Sequence, residues 1–181
     1  MGDVIDLERF RAKLAADQGF RTWLARFQEQ FGPDSRLQDL SDQTLLYLAS
    51  PGEENLYVYF DLVMGAQGLG GSLRFRLDDL DNAAKLKIMD VAFALMDRVR
   101  FEVMRRLGWV EEAPGQDTPI IQLVQQAARG GTEFARELPR LASSHPDFPA
   151  YVRLRGLDRA VFLRRLIPRA VGEFGARMAG P

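Results

Sequence analysis

The run from Asn82 to Leu107 constrains this chain more than any other part of its sequence. Asp78, Asp79 and Asp81 lead into it, where negative charge complements the positive end of a helix. Arg105 and Arg106 fall in its last turn, where they complement the opposite end, and Gly108 is placed to cap it. In its middle, Ile88 to Met96 carries a single charge, Asp90, and is apolar almost all round. A helix of that kind is enclosed by others, so the rest of the chain must supply amphipathic neighbours to cover it. The expected fold is an all-α, single-domain bundle of about eight helices around a central buried helix at residues 82–107.

Candidate neighbours occur on both sides. Val4, Leu7, Phe10 and Leu14 recur at steps of three and four, and after Gly19 the spacing resumes in Phe20, Trp23, Leu24, Phe27 and Phe31. Gly32-Pro33 ends that pattern, and Ser41 opens a third helix that closes at Ser50. Thr118-Pro119 starts another, which Gly130-Gly131 ends. The last segment sets Leu163, Leu166, Ile167, Ala170, Phe174 and Met178 on one helical face, with Pro168 predicting a kink. Between these, His145-Pro146-Asp147-Phe148-Pro149 reads as a connector with His145 on the surface, because each proline biases its predecessor towards extended backbone.

Residues 50–77 admit two readings. Ser50-Pro51-Gly52-Glu53 has the arrangement of a capping box, which predicts a helix from Pro51 to about Met64. The alternative is an α+β fold with a hairpin at 56–77, since Leu56 to Met64 is rich in aromatics and Leu73 to Leu77 alternates in polarity. The following string, Gly65-Ala66-Gln67-Gly68-Leu69-Gly70-Gly71-Ser72, has the glycine spacing of a phosphate-binding loop but holds Gly71 where the lysine belongs. It reads as a connector, and no cofactor is expected there.

Composition narrows the chemistry. The 181 residues suffice for one core without staples, and the absence of cysteine removes disulfides and thiolate metal sites. With one histidine there is no histidine-pair metal site and no plausible triad, so no catalytic, cofactor or metal residues are assigned. The acidic start Asp3-Val4-Ile5-Asp6 lacks the basic flank of a signal peptide, and the chain reads as cytoplasmic.

Charge is distributed unevenly. Residues 1–80 hold 13 acids and 8 bases, a net of -5, while residues 129–181 hold 5 acids and 10 bases, a net of +5. Within that basic third, Arg155, Arg159, Arg165 and Arg169 are the candidate partner-binding residues, suited to an acidic protein surface or to self-association. The expected function is that of a non-enzymatic interaction or adaptor protein using this basic C-terminal helix. Two alternatives accompany it. Asp61 and Asp90, each interrupting an apolar run, are candidate buried carboxylates that would either pair with Arg74, Arg76 or Arg98 or line a small-molecule pocket among the core helices. Residues 11–31, with Ala15, Gly19 and Phe20 at the break, resemble the turn of a helix-turn-helix and raise DNA binding. Arg21 and Arg26 there are balanced by Asp17 and Glu29, so nucleic acid is the weaker expectation.

Overall fold

The computed structural model describes residues 6–70 and 77–180. These residues form an all-α bundle: α1 (Leu7–Gly19), α2 (Arg21–Phe27), α3 (Asp42–Ala49), α4 (Glu53–Ala66), α5 (Asn82–Arg106), α6 (Ile120–Gly130), α7 (Thr132–Arg136), α8 (Phe148–Tyr151) and α9 (Gly156–Ala179). Short 3-10 turns lie at Leu37–Asp39 and Leu77–Asp79. Helix α5 packs against α3, α4, α6 and α9, and so is the central helix of the bundle. Its start is fixed by the Asp81 carboxylate, which accepts a 2.8 Å hydrogen bond from the Ala84 N–H. Its end is a Schellman turn: Trp109 N–H donates to the Met104 carbonyl at 2.9 Å, and Gly108 takes the positive φ of 76° that this closure requires.

The enclosure of α5 is uneven along its length. Leu95, Val99, Val103 and Met104 are fully buried, and removing each side chain from water contributes roughly 1.5–3 kcal/mol. Nearer its start, Leu86 and Phe93 are exposed, and so is Asp90. Asp90 is therefore not the buried carboxylate that its apolar neighbours suggest. It lies with Leu86 and Phe93 on an exposed stripe of the helix.

Residues 56–66 are helical, which excludes the first strand of the hairpin reading, and residues 73–76 of its second strand, Arg74 and Arg76 among them, lie outside the described residues. The predicted capping box is not how α4 begins. Gly52 is the N-cap, and Ser50 instead ends α3, its hydroxyl donating to the Leu46 carbonyl. Asn55 clamps the α3–α4 corner by donating to the carbonyls of Tyr47 and Ser50. Of the glycine string, Gly65 and Ala66 belong to α4, and Gly71 and Ser72 fall outside the described residues.

Helix α1 inverts the packing that its apolar spacing implies. Leu7, Phe10 and Leu14 are exposed, while Ala16 and Gly19 are buried. The reason is a close helix crossing. A Cβ on Gly65 would stand 2.5 Å from the Gln18 carbonyl oxygen and 2.8 Å from the Gly19 Cα, so α1 meets α4 by its small-residue face. Helix α2 also stops earlier than Gly32-Pro33 suggests. Gln28 turns left-handed at φ 56°, and Phe31 folds back to stack on Phe20 at 5.2 Å. Trp23 packs edge-on against both rings, fully buried, and donates its indole N–H to the Val58 carbonyl at 3.1 Å.

This crossing gives a sharp expectation. Gly65→Ala should lower unfolding free energy by about 2 kcal/mol or more, because the obstacle is backbone and cannot rotate away. Gly32→Ala, where an added Cβ meets nothing within 4 Å, should leave it nearly unchanged. Urea titration of both variants reads the difference, and equal stabilities would contradict the crossing.

Candidate interaction surface

The basic C-terminal segment folds as α9, whose Ala160, Leu163, Leu166, Ile167, Ala170 and Phe174 are buried against the bundle, and whose helix continues through Pro168. Met178, placed on this face by its spacing, is exposed near the helix end. The arginines project from the remaining faces and divide into two groups.

The first group is engaged inside the chain. Arg164 bridges to Asp97 of α5 at 2.9 Å, and Arg177 to Glu173 one turn before it at 2.8 Å. Arg169 does not pair with Glu173, the partner its four-residue spacing offers. It reaches Asp147 at 2.9 Å, lies over the Trp109 ring at 4.8 Å, and places a guanidinium nitrogen 3.3 Å from His145 Nε2. Arg159 donates to the Leu154 carbonyl at 2.8 Å and lies over the Tyr151 ring at 5.1 Å. Arg159 and Arg169 thus hold the segment before α9 against it.

The second group makes fewer contacts within the chain. Arg165 is exposed and makes no ion pair among the described residues, and Arg155 makes only two long contacts, 3.4 Å each, to the carbonyls of Val152 and Leu154. They stand ten residues apart, about 15 Å along the helix. Between them lie Leu157, 81% exposed, and Val161, 49% exposed. The four proposed partner-binding arginines therefore do not form one cluster. Two anchor the fold, and two flank an exposed apolar strip.

His145 corrects a second expectation, since it is buried rather than on the surface. Its ring packs edge-on against Trp109 at 4.8 Å, and its Nδ1 accepts from the Asp147 backbone N–H at 3.2 Å. Burial pushes its pKa down, outweighing the Asp147 carboxylate, and Arg169 adds to the lowering.

Of the two carboxylates that interrupt apolar runs, Asp61 is a buried charge of the bundle and Asp90 is not. Asp61 is buried and accepts from the Thr22 hydroxyl at 2.8 Å. Glu102, however, has no exposed surface at all. It accepts two 2.7 Å hydrogen bonds from Arg105 and one of 3.0 Å from Arg106, whose other nitrogens reach the carbonyls of Leu37, Gln38 and Leu40 and the carboxylate of Asp42. Arg98, a proposed partner of Asp61 or Asp90, instead pairs with Glu137 at 2.8 Å, donates to the Phe134 carbonyl and lies over its ring. The spacing of Glu102 from Arg105 and Arg106 was the available sign of its pairing.

Two open grooves lie on the surface of the described residues. One, of about 600 Å³, lies between residues 111–118 and 138–140. The other, of about 990 Å³, lies between α1 and α6, with Arg9, Lys13, Asp17 and Arg129 on its walls. Neither contains Asp61 or Asp90. Among the described residues no group of three or more acidic or histidine side chains is placed to hold a metal ion, and no helix is long and apolar enough to cross a membrane. In the segment that resembles a helix-turn-helix, α2 turns Trp23 into the core, and its Arg26 pairs with Glu54 at 2.9 Å.

Two consequences can be measured. Glu102→Gln should cost about 3 kcal/mol, as for removal of one partner from a buried ion pair, whereas Asp90→Asn should change stability by less than about 0.5 kcal/mol. Similar losses in the two variants would contradict the assignment. For His145, the folded pKa lies below the unfolded one, so the unfolded chain binds the proton more readily. Its contribution is whole above the unfolded value and is lost as pH falls through the folded one. His145→Asn should therefore flatten the decline in thermal stability below about pH 6.5, and an unchanged slope would contradict the buried neutral ring.

Compared with known proteins, the chain matches no family model, no curated protein sequence and no solved structure.

Proposed function

We propose that this chain is a non-enzymatic interaction protein that docks through the exposed face of α9. The observation that carries this reading is the strip at the start of α9, where Leu157 and Val161 stand in solvent between Arg155 and Arg165. Exposed apolar side chains are ordinary singly, but here two lie one turn apart on a helix whose opposite face is already committed to the core. Apolar side chains at the centre with unpaired guanidinium groups at the margin have the anatomy of a docking surface. The charge at its ends adds long-range attraction and orientation, while the apolar strip adds short-range affinity.

The division of the arginines dictates the test. Arg155→Glu and Arg165→Glu combined should leave the melting temperature unchanged and abolish the salt-sensitive capture of partners by the wild-type chain. Arg169→Glu should lower the melting temperature, because it places a second carboxylate beside Asp147 and removes the cation over Trp109. Capture at full strength by a normally folded Arg155→Glu, Arg165→Glu chain would contradict the reading.

A further inference from the structure

We propose that His145 is a proton-operated latch: when its ring takes up a second proton, the Asp147 carboxylate passes from Arg169 to the imidazolium, and the Arg169 guanidinium leaves its seat over Trp109. This device stands apart from the docking role of α9 and does not depend on it. Both ring nitrogens of His145 face donors. Nδ1 accepts from the Asp147 backbone N–H at 3.2 Å, and Nε2 lies 3.3 Å from a guanidinium nitrogen of Arg169. A backbone N–H and a guanidinium only donate, whereas a neutral imidazole has one nitrogen that accepts and one that donates. The contact at Nδ1 uses the accepting nitrogen. The ring N–H is then on Nε2, turned towards a donor, and the neutral ring is already at the limit of what this seat satisfies.

A second proton enters at Nδ1, where it displaces the Asp147 N–H and sets a positive ring beside the positive charge of Arg169. The acceptor in reach is the Asp147 carboxylate, whose Oδ2 is 3.8 Å from Nδ1 and holds Arg169 at 2.9 Å. The other charged group that bears on the ring is Glu173 of α9, which is engaged by Arg177 at 2.8 Å, while Trp109, from the loop after α5, presents no charge. Two cations thus compete for Asp147. Exposure decides which gives way. The His145 side chain is 2% exposed, whereas that of Arg169 is 55% exposed on a long stem and can turn into water. Its departure uncovers Trp109 and unties residues 145–147 from α9. Arg159 remains over Tyr151, so α8 stays held and the opening is local. Burial and Arg169 both favour the neutral ring, so the latch opens below the ordinary histidine value of about 6.5.

Nitrogen–proton NMR of the labelled chain, titrated from about pH 8 to about pH 5, tests this on the wild type and on the His145→Asn and Arg169→Gln variants. The chain has a single histidine, so its ring signals are unambiguous, and the Trp23 indole, which donates to the Val58 carbonyl, serves as an internal reference. In the wild type, the Trp109 indole and Arg169 Nε–H signals should shift with the same midpoint as the His145 ring, below about 6.5, while Trp23 stays in place. In His145→Asn, whose amide oxygen can accept from the Asp147 N–H but takes up no proton, both signals should stay fixed. In Arg169→Gln the imidazole midpoint should rise towards its ordinary value, because the competing cation is gone. The wild-type and Arg169→Gln titrations carry the test even where His145→Asn does not fold. A ring that titrates while the Arg169 and Trp109 signals stand still would overturn the proposal, as would the same shifts in His145→Asn or an unmoved midpoint in Arg169→Gln. Loss of every amide signal at once would overturn it too, since that is global unfolding rather than release of a latch.

Discussion

Glu102 is a carboxylate with no access to water in the last third of the central helix, and the packing around it is organised by the need to compensate its charge. Taking an ion out of water costs several kcal/mol, which only close and well-directed donors offset. Arg105 grips it with two hydrogen bonds, and Arg106 adds a third. Because Arg106 also reaches the carbonyls of Leu37, Gln38 and Leu40 and the carboxylate of Asp42, the compensation of one charge fixes the 37–39 turn and the start of α3 on the end of α5. Helix α3 in turn receives the Tyr59 hydroxyl of α4 at the Leu48 carbonyl, and its Leu46 packs near Gly175 of α9. That chain of contacts links α5 to α3, and α3 to α4 and α9.

The helical class and the extent of α5 are legible in the sequence because they depend on local features: acids before the helix, arginines and a glycine at its end, and an apolar middle. What periodicity does not carry is which stripe meets a neighbour. Leu7, Phe10 and Leu14 make a clean apolar stripe, yet the face of α1 that packs is the one that fits the gap at Gly65. The same limit explains Asp90 and Glu102. Asp90 stands out because its neighbours are apolar, but it faces solvent, whereas Glu102 lies in an ordinary-looking run of mixed charge and is the residue enclosed. His145 was hidden for a related reason, because the burial of a loop residue depends on the distant aromatic ring of Trp109.

The arginines show how a charge excess is resolved once side chains have places. Counting alone makes the C-terminal third a uniformly basic surface. In the bundle, Arg164 finds a carboxylate of α5, Arg169 and Arg177 find carboxylates of their own segment, and Arg159 finds a carbonyl and an aromatic face, while Arg155 and Arg165 stay without an ion pair among the described residues beside an apolar strip. The internal partners hold α9 and the segment before it in place. The remaining face is thereby presented rigidly, which reduces the ordering that association would otherwise require.

The claim that Glu102 and Arg106 together fix one corner of the bundle is open to residue-level hydrogen exchange on an Arg106→Met chain. The account predicts faster exchange at Leu40 and Leu45 and along α3, with the amides of α4 that face α1 retaining their wild-type protection. Unchanged protection in α3, or an equal loss across every helix, would contradict it.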